Sequence, residues 1–336
     1  MSGDTASLTS SAAISAVEPN SVRTEVRETA VASTSTARRL LGTLVLLLGF
    51  SMLGLIPLFT VPFGVAISPL QASALRLAVA ALLLSPVVLF ALARAGANSW
   101  LLITRGAPSG FVIAAATSTY QIAITTIPVS LAIMLVLACM IVVAATRDAR
   151  RPPVPQLVTF AIALGLAVLH AYPLDSTIGA APLGMFMACL CGAVFGLLPI
   201  SLRRAEGIAT ATLNGIQFAV GTAGLLALDT LLSLLSIGHP WFEVFAALPA
   251  TLWPLVIVAG VLTVLLPYGA IAWGRRAAGA SDLQVALASA CEPVVAVAIA
   301  ATFLGQQSGV AVWLALASVV ALNALYPLIV PPASRG

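Results

Sequence analysis

Ten apolar runs fill the chain from residue 40 to residue 330: 40–61, 70–93, 107–124, 127–146, 155–172, 179–201, 211–235, 250–273, 284–304 and 309–330. Each is about as long as a helix that crosses a bilayer, which takes roughly 20 residues. In lipid every backbone polar group must be bonded within its own segment, so the runs are expected to be helices. A β-barrel would need strands of about ten residues with alternating character, and these runs are continuous. Charged residues make up 8% of the 336, against about a quarter in soluble domains. That excludes a soluble enzyme. It also excludes nucleic acid as a partner, because the 15 basic residues, all Arg, are scattered in ones to threes between apolar runs rather than gathered on one face.

The arginines set the expected topology. Arg94 and Arg105 fall between spans 2 and 3, Arg147, Arg150 and Arg151 between 4 and 5, Arg203 and Arg204 between 6 and 7, and Arg275 and Arg276 between 8 and 9. The alternate connections carry none. The excess of Arg on one side marks the cytoplasm, so both termini and every Arg-bearing loop are expected there. Residues 1–37 are polar, rich in Ser, Thr, Ala and Glu, and have no aromatic residue. They read as a disordered cytoplasmic tail. No apolar segment near Met1 has the shape of a signal peptide.

An internal repeat divides the rest. Residues 138–145 read ACMIVVAA and residues 290–297 read ACEPVVAV, with five of eight positions identical. The first copy lies in span 4 and the second in span 9, which run in opposite directions. Two halves of opposite topology form the plan of many secondary carriers. The expected fold is therefore all-α and integral to the membrane. It has ten transmembrane helices in two inverted five-helix repeats, 38–172 and 173–332.

Two charges lie deep within spans. Arg76 is in span 2, about six residues or roughly 9 Å from its outer end. Glu292 is in span 9, near the midplane. An ionisable group at that depth points to a pathway or a proton relay. The rival for Glu292 is a buried lock between helices, and for Arg76 a side chain that snorkels outward. Pro293 removes the amide that would bond back to the carbonyl of Ser289, which would leave a polar notch beside the acid. Pro128 with Ser130 in span 4 is a weaker case of the same kind. Tyr120, Gln121, Tyr268 and Trp273 could line a cavity or form interfacial belts. Asn214 and Gln217 are one turn apart in span 7, as amides that bond across helices often are. Gly192 and Gly196 form a small-xxx-small pair suited to close helix packing.

No G-x-S-x-G, paired-Asp motif, H-E-x-x-H or Gly-rich phosphate loop is present. Cys139, Cys189, Cys191 and Cys291 each lie inside an apolar run and read as small core residues. His170 and His239 have no obvious partner. The chain is therefore expected not to be an enzyme and to need neither metal nor cofactor.

The motifs resemble those of the drug/metabolite transporter superfamily, EamA type, over residues 40–330. The resemblance rests on ASALRLAVAALLL (72–84), YQIAITTIPVSLAI (120–133), LLPYGAIAW (265–273) and LASACEPVVAVAIAATFLG (287–305). The Glu-Pro of span 9 and the Leu-Pro-Tyr of span 8 are most similar to the threonine/homoserine exporter group. Arg76, Tyr268, Glu292 and Pro293 match family motif positions. Two places depart from the pattern: Val136 to Ile141 lack the Glu and Pro usual in span 4, and Gln306 replaces the acid after span 9. The resemblance implies an inner-membrane carrier that exports amino acids or related small metabolites, driven by the proton gradient. Expected partners are the bilayer, a small-molecule substrate, the proton as coupling ion and a second copy of the chain. The alternatives are a carrier of drugs or sugar-linked metabolites on the same fold, and a membrane sensor or assembly protein that transports nothing.

Overall fold

A computed structural model describes residues 19–63, 67–147, 181–235, 238–280 and, with short gaps, 284–318, together with single positions at 158, 161, 162, 165 and 321. Nearly all of the expected span 5, the boundary at 172/173, most of span 10 and His170 lie outside the described residues.

Every element among the described residues is helical. The helices are α1 (Pro19–Leu53), α2 (Ile56–Phe63), α3 (Pro69–Ala95), α4 (Ser99–Thr126), α5 (Val129–Arg147), α6 (Ala181–Phe195), α7 (Leu198–Arg204), α8 (Thr210–Leu234), α9 (Trp241–Ala247), α10 (Trp253–Gly260), α11 (Leu266–Ala278) and α12 (Cys291–Phe303). Among these residues five helical stretches are long and apolar enough to cross a membrane: Thr36–Thr60, Pro69–Thr126, Pro182–Arg204, Thr210–Leu234 and Ala250–Ala278. The second has 58 residues, far more than one crossing needs. It bends at the 3₁₀ turn Gly96–Asn98, where Gly96 adopts φ +56°, and α3 packs back on α4.

The surface is that of a membrane protein. Large apolar side chains face outward, among them Leu82, Phe90, Trp100, Phe186 and Leu234, while Ser73, Ser109, Gln121 and Gln217 are buried. A soluble domain would reverse that arrangement. The protein is thus an all-α membrane protein.

The stretch 19–37, which composition assigns to an unstructured tail, is instead helical and continues into the first membrane stretch. Pro19 at its start has the fixed φ that suits a first helical turn. The Ala, Glu and Arg that follow are good helix formers, so low hydrophobicity did not preclude a helix joined to an anchored one.

The local sequence explains the ends of the central helices. Ser68 caps α3: its Oγ accepts from Gln71 N (3.2 Å), while Gln71 Oε1 accepts from Ser68 N (3.2 Å). Pro69 sits at the first helical position. α10 and α11 are joined by a π turn, Val261–Leu265. Pro267 has no N–H to offer the carbonyl of Thr263, four residues back, so the α-helical ladder breaks there and the helix widens.

Packing relies on small residues. Gly192 lets α6 lie against α5: a Cβ there would come within 2.8 Å of Cys139 Cβ, and one at Gly196 within 2.7 Å of Val143 Cβ. This bears out the close-packing reading of that pair. Gln217 Nε2 donates to Ser109 Oγ (2.7 Å), tying α8 to α4 as the amide spacing suggested.

Candidate functional site

The deep polar residues converge between α3, α4, α8, α11 and α12. Arg76 on α3 is 2% exposed. Its Nη1 donates to Thr263 Oγ1 (3.4 Å) in the π turn, and with the Gln121 amide assigned so that its oxygen faces the guanidinium, Arg76 Nη2 donates to Gln121 Oε1 on α4. In that orientation the Gln121 amide also accepts from Thr60 Oγ1 (3.3 Å) and donates to the carbonyl of Pro69 (3.0 Å). Arg76 Nε has no partner. Gly260 makes room for this arrangement, because a Cβ there would press on Val79 (2.7 Å) and on the carbonyl of Arg76 (3.0 Å).

Glu292 lies in the first turn of α12 and is 8% exposed. Gly54, in the break between α1 and α2, allows the chain to pass its backbone: a Cβ there would be 2.8 Å from the Glu292 carbonyl. Pro293 does not leave the expected free carbonyl. α12 begins only at Cys291, after a turn at Ser289 and Ala290, and Ser289 O accepts from Glu292 N (3.0 Å). A proline in the first turn costs the helix nothing, since that N–H would be unpaired anyway. The notch is therefore a break in span 9 directly before the acid.

Two tyrosines lie within reach of both charges. Tyr120 on α4 and Tyr268 on α11 are both buried, and each interacts electrostatically with both Arg76 and Glu292. Neither phenol oxygen has a hydrogen-bond partner. Phe218 holds the Tyr268 ring edge-on, with centroids 5.8 Å apart. Asn214 on α8 is buried beside Gly269, and its Oδ1 is also unpartnered. Buried polar atoms normally find partners. Four orphans in one cluster mark a place where a polar ligand would satisfy atoms that the protein leaves open.

Trp273 does not belong to this cluster. It is 40% exposed, whereas Tyr268 and Ile271 on the same helix are buried. Five residues along an α-helix turn a side chain by about 500°, so Trp273 and Tyr268 point some 140° apart. Trp273 faces outward.

A narrow crevice borders Glu292, Phe50, Met140 and Phe195. It shares those last three residues with a second narrow gap lined by Leu202 and Arg275. These two residues in turn border a wider space at Glu206 and Arg276. At the opposite end the elements are tied together. Gln306 Oε1 accepts from Val129 N (3.2 Å), joining α12 to the start of α5. Gln71 Nε2 donates to Asp229 Oδ2 (3.3 Å) and to the carbonyl of His239 (3.0 Å).

Sequence reasoning missed three participants. Thr263 was hidden in an apolar run, although Pro267 four residues later is the signal for it. Cys191 is buried within electrostatic reach of Glu292, and its Sγ donates to the carbonyl of Ala116 (3.3 Å). Cys139 and Cys189 form a side-chain hydrogen bond across α5 and α6, a pairing that two apolar runs do not reveal.

No family model and no curated protein matches the sequence. A solved crystal structure, 19% identical, superposes with a TM-score of 0.58 over 88% of this chain and 97% of its own. At that identity the likeness concerns the fold alone.

Proposed function

We propose that the chain is a secondary transporter of ten spans in two inverted halves, working by proton-coupled alternating access. It would export small metabolites, amino acids or related compounds, across the cytoplasmic membrane. Both termini and the Arg-bearing connections would face the cytoplasm. The observation that carries this reading is the cluster itself. A buried cation and a buried acid each lie within electrostatic reach of the same two unpartnered phenols.

Each charge has a role in this reading. Arg76, held by Gln121 and Thr263, would orient a carboxylate. Glu292 would bind a proton or a substrate ammonium, as intramembrane acids do in proton-coupled carriers. Tyr120, Tyr268 and Asn214 would supply the remaining hydrogen bonds. A zwitterion fits two opposite charges that do not pair with each other.

The helix contacts support the inverted plan. Taking α1 and α2 as span 1, α3 to α5 as spans 2 to 4, α6 and α7 as span 6, α8 as span 7, α10 and α11 as span 8, and α12 as span 9, contacts come in matched pairs. Span 1 packs on 8 as span 6 packs on 3, span 4 on 6 as span 9 on 1, and span 3 on 7 as span 8 on 2. Spans 2 and 7, and spans 4 and 9, pair with each other. Exchanging the two halves maps this set onto itself, as a two-fold axis in the membrane plane requires. The motifs at Arg76, Tyr268, Glu292 and Pro293 support the EamA-type resemblance, nearest the threonine/homoserine exporter group.

Flux in proteoliposomes tests the proposal. A panel of amino acids is loaded against an imposed pH gradient. Wild type is expected to move one or more of them, and Glu292→Gln to lose the pH coupling. Unchanged pH-coupled flux in Glu292→Gln removes the acid from the mechanism. Absence of flux for every solute favours the sensor or assembly reading.

A further inference from the structure

Two seams of the fold are built alike around the repeated octapeptide, residues 138–145 on α5 and 290–297 leading into α12. A Cβ at Gly196, just past α6, would come within 2.7 Å of Val143 Cβ, and one at Gly54, just past α1, within 2.7 Å of Val295 Cβ. Val143 and Val295 are the sixth residues of the two copies. The second residue of each copy is a cysteine. Cys291 shares a side-chain hydrogen bond with Ser51 on α1. Cys139 shares one with Cys189 on α6. One seam thus joins a thiol to a hydroxyl, and the other joins a thiol to a thiol.

The thiol pair lies where α5 and α6 approach most closely. Gly192, one turn from Cys189, has no room for a Cβ, which would be 2.8 Å from Cys139 Cβ. Two thiols that share a hydrogen bond need only small side-chain rotations to join sulfur to sulfur. Both are half-buried, whereas Cys191 is fully buried with its Sγ on the Ala116 carbonyl. A reagent therefore reaches the pair before it reaches Cys191. Cys139 and Cys189 each fall near the middle of an apolar helix. At that depth the medium is hydrocarbon, so an oxidant that meets them is one that dissolves in lipid.

We propose that Cys139 and Cys189 form a modification site, at which a lipid hydroperoxide makes a disulfide that pins α5 to α6. One thiol sulfur attacks the outer oxygen of the hydroperoxide. The O–O bond breaks, the sulfur becomes a sulfenic acid, and the lipid leaves as an alcohol that carries the thiol's proton. The second thiol then displaces the hydroxyl, which takes that thiol's proton and leaves as water. Two thiols and one hydroperoxide give one disulfide, one alcohol and one water. The sulfurs lose two electrons and the peroxide gains them. The Cys291 seam has a hydroxyl in place of the second sulfur and cannot close in this way. Under the transport reading α5 and α6 belong to different halves, so the bond would hold together parts that move. The bond itself, and its test, do not depend on that reading.

The test uses the full chain in liposomes of saturated phosphatidylcholine. Cumene hydroperoxide or hydrogen peroxide is added, remaining thiols are blocked with N-ethylmaleimide, and the digest is read by mass spectrometry. The expected product is a Cys139–Cys189 link, with fragment ions separating Cys189 from Cys191, that disappears on reduction with a phosphine. It should form roughly tenfold faster with cumene hydroperoxide, whose apolar body concentrates it in the bilayer. The linked protein should also need more SDS to unfold in mixed micelles than the reduced protein, because a cross-link constrains the unfolded chain. Wild type alone makes these comparisons, so no variant has to fold. Cys291→Ser is expected to leave the link at its full extent. A folded protein that forms no link, or links through Cys191 or Cys291 instead, overturns the site. Equal rates with the two peroxides overturn the lipid-borne oxidant. An unchanged SDS midpoint in fully linked protein overturns the pinning of α5 to α6.

Discussion

Replacing Gln121 by Leu should loosen the grip on Arg76. Gln121 is fully buried, and leucine has a similar volume, so no large cavity opens. Three hydrogen bonds disappear: from Arg76 Nη2, from Thr60 Oγ1 and to the carbonyl of Pro69. A bond to a charged group contributes about 1.5–3 kcal/mol and a neutral one about 0.5–1.5 kcal/mol. The sum is about 2.5–6 kcal/mol, and the guanidinium bond is the largest single part. Arg76 would keep only Thr263 at Nη1. Reversible unfolding by SDS in mixed micelles measures the loss. A double-mutant cycle with Arg76→Leu isolates the pair, since that variant removes the charge that Gln121 serves. The expected coupling is about 2 kcal/mol. A coupling within about 0.5 kcal/mol of zero, the usual additivity of independent sites, would falsify the view that Gln121 holds the cation.

Three further outcomes follow from the packing. Gly192→Leu places atoms against Cys139 and is expected to cost about 1–3 kcal/mol through overpacking. Gly309→Ala, which meets nothing within 4 Å, should be neutral in the same SDS titration, and equal losses would contradict the geometry. Treatment with diamide, an azo oxidant reduced to its hydrazine as two thiols join, should consume Cys139 and Cys189 together. Thiol counting should then fall by two in wild type but not in Cys139→Ser, and equal loss in both would refute the pairing. Gln306→Ala removes the acceptor for Val129 N, so the end opposite the arginines should open more often. A cysteine placed at Tyr120 should then react faster with an impermeant maleimide added on that side, and an unchanged rate would show that the bond does not close the pathway.

Much of the site was legible because burial of charge in lipid is costly wherever it occurs. Arg76 and Glu292 stand out in any hydropathy reading, without knowledge of a neighbour. Tyr120, Gln121 and Tyr268 were readable as polar positions inside apolar runs, yet the same reading admitted Trp273, which faces outward. The ambiguity has a physical origin. A helix that is apolar nearly all round gives no periodic signal for its inward face. Pro293 was likewise visible, but its effect depended on where α12 begins, and that is fixed by the turn at Ser289 and Ala290 rather than by the proline.

The sequence by itself determined the solvent, the helical form of the membrane-spanning runs and the rank of its charges. These are local and additive properties: apolar length demands a bilayer, and a bilayer demands helices. Tertiary structure alone decided which side chains meet. Arg76 and Glu292, from opposite ends of the chain, face the same pair of phenols, and the thiols of Cys139 and Cys189 touch across two helices. Between lipid-bathed helices, rotation and pairing depend on how closely backbones approach at Gly54, Gly192 and Gly260. That approach depends on shape shared by two helices, which neither run of sequence contains alone.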